Sequence, residues 1–407
     1  MGQQAATIPG ESKIPTYAWV VLFAVYVASL AAPFNQFKVP PVLPILKQTF
    51  DLSYSGAGMM MSSFSIMGLV LAIPSGFLVL RFGIKTSILL SVASVMIGSV
   101  LGAISHSSGL LFVSRFIEGL GMGLILVAAP AAIAAWFPAQ KRGLPMGLWA
   151  TCVAVGSVAA LNVAPVLAGS SSWRSVWWAG AALAAVALVL FGVLFRLPGP
   201  GEVINGPPPE NSNSAPGGEL SIGQVITNRG VWLISLELGC FAIVIMALST
   251  FYPDFLNTVR HYSLAKASLM TSVMGTIAMF SAPVGGYLSD RLGSRKAVII
   301  GPFILWSLVL LFPFTLSGWA IPVLMVASGI LGGPIAPVSL ALVPELVPPQ
   351  HVGIALGVVA FGQNLGMFAG PALFGWIVET TSWATAGYLL IPVCVVAIVA
   401  ASLVKIR

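Results

Sequence analysis

From residue 297 to residue 344 the chain contains no Asp, Glu, Lys or Arg. A membrane-spanning helix takes about 20 apolar residues, so this single run has room for two, divided near Ser317 and Gly318. The same scarcity recurs from end to end. Uncharged stretches cover residues 14–37, 52–80, 86–114, 119–140, 143–173 and 175–195, with Arg115 and Glu118 embedded in the fourth span. The pattern resumes at 230–252 and 267–289, and after the long run it closes with 347–378 and 380–404. Twelve spans are therefore expected. Helices are favoured over strands because barrel strands take only about 10 residues and alternate with polar ones.

Composition excludes the other classes. About 7% of the chain is charged and 58% is hydrophobic, against roughly 25% charged in a soluble domain. Such a surface cannot face water, and a chain this rich in large apolar residues is not disordered. Lipid is the expected solvent. Cys152, Cys240 and Cys394 lie in separate apolar stretches with no C-x-x-C pair, and the opening residues lack a basic region followed by a short apolar core, so no cleaved signal is expected. The net charge of +7 is scattered at the ends of apolar runs, which is a topology signal and not a nucleic-acid surface.

Residues 198–228 break the pattern with a segment rich in Pro, Gly, Asn and Ser that cannot bury a core. This divides the chain into a first bundle of six helices over 1–197, a flexible linker over 198–228 and a second bundle over 229–407. With both termini and the linker cytoplasmic, twelve of the 18 basic residues fall on the cytoplasmic side, as the positive-inside rule requires.

An internal repeat relates the two bundles. At an offset of 210 residues, Gly76, Arg81, Gly83 and Lys85 map onto Gly286, Arg291, Gly293 and Arg295. Gly119, Gly123, Pro138, Gly143, Gly147, Gly156 and Trp173 map onto Gly329, Gly333, Pro348, Gly353, Gly357, Gly366 and Trp383. Two homologous halves in parallel orientation are a transporter design, with the substrate site between them near mid-membrane. The expected fold is an all-α membrane protein of twelve helices in two homologous six-helix bundles.

Gly286, Asp290, Arg291, Gly293, Arg295 and Lys296, within GGYLSDRLGSRK, resemble the loop motif between the second and third helices of each half in the major facilitator superfamily. The first-half copy, GFLVLRFGIK, has Leu80 where that motif usually carries Asp. The run from Arg115 through Glu118, Gly119, Gly121 and Gly123 resembles the family's R-x-x-x-G-x-G signature, and WFPAQKRG and SWRSVWW resemble further family segments. The NQFKVPP stretch is loosely similar to the cyanate-permease branch. The resemblance implies a secondary transporter working by alternating access, with the loop motif acting as a cytoplasmic latch. Positive-inside topology alone is the simpler account of those basic residues.

Enzyme chemistry is not expected. The three His are far apart, no H-E-x-x-H is present, and no Lys follows a G-x-x-x-x-G frame, so neither a metal nor another cofactor is called for. The few ionisable residues at membrane depth carry the functional expectation. Lys38, beside Asn35 and Gln36 and just before Pro40 and Pro41, is read as an anchor for an anionic substrate, or else as a lysine snorkelling to the headgroups. Arg115 and Glu118 stand one turn apart and are read as a coupling pair or a structural one. Glu237 is a coupling candidate or a helix cap. Asn162, Gln363 and Asn364 are pocket candidates, or interhelical hydrogen-bonding groups worth about 1 kcal/mol each. The expected partners are a small anionic molecule and the bilayer, for a monomer in the cell membrane, moving its substrate with protons or otherwise. Proton-coupled efflux of lipophilic compounds is the alternative transport reading, and a receptor that does not transport is the alternative outside it.

Overall fold

Where each span begins and breaks follows from its prolines and glycines. The first span is two helices, α1 (Thr16–Phe37) and α2 (Leu43–Phe50), joined by a 3-10 turn at Pro40–Val42. Pro40 and Pro41 have no N–H to return to the carbonyls one turn earlier, so α1 must stop there. In this computed structural model the described residues are 14–71, 74–138, 141–199, 227–348 and 351–405. The remainder of the first half is α3 (Tyr54–Leu71), α4 (Pro74–Phe82), α5 (Ile84–Ala103), α6 (Ser108–Trp136), α7 (Gly143–Ser170) and α8 (Trp173–Leu194). The second half is α9 (Arg229–Thr258), α10 (Leu264–Leu292), α11 (Arg295–Val309), α12 (Ala320–Gly332), α13 (Ile335–Leu346), α14 (Val352–Thr380), α15 (Trp383–Tyr388) and α16 (Leu390–Leu403). Most of the expected linker lies outside the described residues.

Among the described residues, eleven helical segments are long and apolar enough to cross a membrane. The twelfth expected span, α11, has 15 residues, about 22 Å of helix against a hydrocarbon core of about 30 Å. Pro313 cannot donate to the carbonyl before it, and the chain continues as hydrogen-bonded turns from Leu311 to Leu316. Gly318, with φ of 68°, then reverses the chain at the expected division. Large apolar side chains such as Phe77, Val193 and Trp319 are more than two-thirds exposed, a surface suited to lipid and not to water.

The repeat is a repeat of contacts as well as letters. A Cβ added at Gly119 would stand 2.2 Å from the carbonyl oxygen of Phe64, and one added at Gly329 would stand 2.6 Å from that of Met274. Both members of the second pair lie 210 residues beyond those of the first, so α6 meets α3 as α12 meets α10. Gly83 and Gly293, also in register, both have positive φ at the turn that follows.

Contacts between the halves cluster on the side away from the chain termini. There Lys47 meets Asp254, Ser55 meets Glu379, Ser62 Oγ donates to the Phe368 carbonyl, and Asn162 donates to Ser272. Gly58 and Pro371 bring α3 and α14 backbone to backbone. Toward the terminal side, added Cβ atoms at Gly76, Gly143, Gly147, Gly286, Gly353 and Gly357 would meet nothing within 4 Å.

Candidate functional site

The break in α1 strands backbone carbonyls in its last turn, and a charge cluster forms around them. Arg115, from α6, donates from Nη1 to the Asn35 carbonyl at 2.7 Å and from Nη2 to the Gln36 carbonyl at 3.2 Å. The acceptor at Gln36 is the one that Pro40 cannot serve. The guanidinium thus caps α1 where the helix dipole is negative, and it lies over the Phe64 ring at 4.7 Å. Arg115 Nη1 also bonds Glu118 Oε2, the pairing expected from their spacing.

Lys38 closes the cluster from the other side. Its ammonium donates to Glu118 Oε1 at 2.6 Å, Asn35 Oδ1 at 2.7 Å and Ser99 Oγ at 2.8 Å, and it sits 4.7 Å from the centre of the Trp177 ring. All three N–H donors are engaged, and Lys38, Arg115 and Glu118 are fully buried. Two cations share one carboxylate, so the cluster carries a formal charge of +1 in a medium where uncompensated charge is costly. The Asn35 amide donates to the Ala31 carbonyl at 2.8 Å and the Gly180 carbonyl at 3.4 Å, and Gly180 leaves it room: a Cβ there would stand 2.3 Å from Asn35 Oδ1. Gln36 Oε1, Arg115 Nε and Trp177 Nε1 are buried without hydrogen-bond partners.

Five of the expected site residues, Asn35, Gln36, Lys38, Arg115 and Glu118, are therefore brought together, with Ser99, Phe64, Trp177 and Gly180 completing their surroundings. Ser99, Phe64 and Gly180 had no sequence signal apart from small size or aromatic character, and Trp177 stood only within the SWRSVWW segment. The others lie elsewhere. Asn162 donates to the Val158 carbonyl at 2.7 Å and to Ser272 Oγ at 3.0 Å, joining the halves. Asn364 donates to the Ala360 carbonyl and stands against Gly68 of α3, while Gln363 is half-buried on the same helix. Glu237 is fully buried in the second half, with the Ser339 hydroxyl facing it outside hydrogen-bond geometry.

In the loop motif, Arg81, Asp290 and Arg291 are exposed and, among the described residues, make no ion pair. Lys85 is half-buried. Arg295 pairs with Glu345 at 2.9 Å and bonds the Ala341 carbonyl, and Lys296 donates to the Ser402 carbonyl at 3.2 Å, both within the second half.

The sequence profile described as Major Facilitator Superfamily matches residues 25–321 and 239–407. This chain belongs to that superfamily. It is a multi-pass membrane transporter and not an enzyme. Among its relatives, the probable sulfoacetate transporter SauU of Cupriavidus necator is 20% identical, over 85% of this chain and 84% of that protein. The hexuronate transporter of Bacillus subtilis is 22% identical over 93% of this chain and 91% of its own length. The crystal structure of a bacterial homolog of the human lysosomal transporter Spinster, inward-facing and unoccupied, shares the fold, with a TM-score of 0.70 at 18% identity, covering 95% of this chain and 96% of that one.

Proposed function

We propose that this transporter moves a small organic or inorganic anion by alternating access, with the bundles over 1–197 and 229–407 rocking about the site between them. The observation that carries the reading is the surplus positive charge of the Lys38, Arg115 and Glu118 cluster. An anion approaching through the halves supplies the negative charge that the cluster lacks, and in low dielectric that attraction exceeds its value in water. Sulfoacetate and hexuronate, named for two relatives, are anions of this size and sign. On this reading, with the termini cytoplasmic, the contacts at Lys47, Ser55 and Ser62 lie on the outer side and support an inward-facing arrangement. Proton coupling belongs to the same reading, with Glu118 and Glu237 as its candidate carriers.

The test is uptake into proteoliposomes, with sulfoacetate and glucuronate as probes and with and without an imposed pH gradient. Lys38→Gln leaves Arg115 and Glu118 as a balanced pair, so the protein should fold and insert at wild-type yield while anion uptake falls by tenfold or more. Lys38→Arg keeps the charge but not the geometry and should retain part of the uptake. Wild-type rate and affinity in Lys38→Gln would remove the cluster from substrate binding. Retained uptake of neutral lipophilic compounds with no response to either anion would favour efflux.

A further inference from the structure

We propose that Glu237 carries the coupled proton, as a neutral carboxyl facing Ser339 in the second half, while Glu118 stays ionised. The proposal rests on the proton-coupled reading above, which leaves both carboxyls as candidates. Glu118 has a cation on each oxygen, with Lys38 Nζ 2.6 Å from Oε1 and Arg115 Nη1 on Oε2. A proton there would leave two buried cations without a counter-charge, so the first-half cluster holds its carboxylate. Glu237 is the reverse case. It is fully buried, and neither Oε1 nor Oε2 has a hydrogen-bond partner. The Ser339 hydroxyl of α13 faces it and is also unpartnered. A carboxylate offers no donor, whereas a protonated carboxyl supplies one O–H that the serine oxygen can accept.

Among the described residues, Glu237 makes no ion pair, and the elements packed against α9 bring no free cation to it. α13 carries Glu345, which is paired with Arg295, and α14 carries Glu379 in its last turn. α16 has no charged residue, and Lys266, Asp290 and Arg291 of α10 lie in its first and last turns. Lys38 has its three donors engaged in the other half, and Lys47 of α2 is paired with Asp254. The nearby titratable groups are buried thiols, Cys240 on the same helix and Cys394 of α16 beside it. Arg229 opens α9 about 12 Å before Glu237 along the helix axis. An ionised Glu237 would therefore be an uncompensated charge at membrane depth, and the neutral acid removes that cost.

The site is peculiar to the second half. At the 210-residue offset Glu237, Cys240, Ser339 and Cys394 correspond to Val27, Leu30, Ala129 and Ala184, while Lys38, Arg115 and Glu118 correspond to Leu248, Met325 and Ser328. One bundle keeps a fixed charge, and the other holds an acid whose charge can change. Ser235 Oγ donates to the Val358 carbonyl at 2.8 Å, and Gly239 packs on Gly362, so α14 closes that face of α9. Glu237, two residues from each, lies on the other face, toward Ser339 of α13. At about 12 Å from the start of α9, in a hydrocarbon core of about 30 Å, the carboxyl is nearer the terminal side, and its proton exchanges with that side.

Two measurements on the full-length protein in proteoliposomes test this. Dicyclohexylcarbodiimide, an apolar reagent, takes a protonated carboxyl: the acid proton passes to one carbodiimide nitrogen and the carboxyl oxygen bonds to the central carbon. The acyl group then migrates to nitrogen and leaves a stable N-acylurea. Peptide mass analysis after treatment at neutral pH should find that adduct on Glu237 and not on Glu118. Glu237 left unmodified would overturn the proposal. Glu237→Gln keeps the shape of the neutral acid and should unfold at the wild-type Tm. With sulfoacetate as probe, its net uptake driven by an inward proton gradient should fall about tenfold or more, while exchange of internal for external sulfoacetate, which needs no change of charge at the site, stays within about twofold. Gradient-driven uptake in Glu237→Gln equal to the wild type would also overturn the proposal. Wild-type uptake that ignores the gradient would defeat proton coupling itself, and with it the carrier role. No wild-type uptake of sulfoacetate or glucuronate would instead count against anion transport, and the labelling then decides the proton site by itself.

Discussion

Glu118 is the residue on which the buried cluster depends, because it is the one anion between two cations. Replacing it with Gln leaves Lys38 and Arg115 sealed together without a counter-charge, and the loss of a buried partner typically costs about 3–5 kcal/mol. Thermal unfolding of Glu118→Gln in detergent should show a large drop in Tm, while Lys38→Gln, which leaves a neutral pair, should unfold near the wild type. Equal Tm values for these two variants would show that the charge count is not what stabilises the site. Lys38 illustrates what spacing conceals. Its position after Asn35 and Gln36 marked it as a cation at membrane depth, but its contact with Ser99 joins residues 61 apart in the chain, and that with Glu118 joins residues 80 apart.

At the scale of elements, backbone approach decides which helices can pair. Gly119 and Gly329 sit against carbonyl oxygens of α3 and α10 at distances no side chain can occupy. Gly119→Val and Gly329→Val should therefore each force the paired helices apart, at about 1–3 kcal/mol or more for overpacking. Gly147→Ala, in open space, should be nearly neutral or slightly stabilising. Folded yield by size-exclusion profile and Tm checks both. A Gly119→Val protein as stable as the wild type would mean that α6 and α3 can slide without loss. The glycines were legible as a repeat, and their register with Phe64 and Met274 needed the fold.

For the whole molecule, the loop motif and the contacts of Lys47, Ser55 and Ser62 between the halves lie on opposite sides. Asp290 and Arg291 are exposed, and we propose that they act as a latch that engages when the terminal side closes. Asp290→Asn should therefore slow flux severalfold while leaving the equilibrium affinity for the transported anion within about twofold, because it destabilises the closed partner state and not the pocket. Binding measured by calorimetry beside flux in proteoliposomes decides it. A pure loss of affinity at unchanged maximal rate would count against the latch. Leu80, 85% exposed in the first-half copy, offers no carboxylate at the matching position.

Apolar run length alone determined that this chain lives in a membrane as helices, because an uncharged run of that length has no other solvent. The repeat at 210 residues determined that two similar bundles exist, since Gly, Pro and Trp constrain backbone geometry locally and leave a mark in register. The prolines determined where α1 breaks. Only the tertiary structure decided that Arg115 caps that break, that one glutamate serves two cations, and that Lys47 and Asp254, 207 residues apart, face each other across the halves. Pairings of that kind depend on the rotation and depth of whole helices. Those are set by packing summed over many residues and are written at no single position.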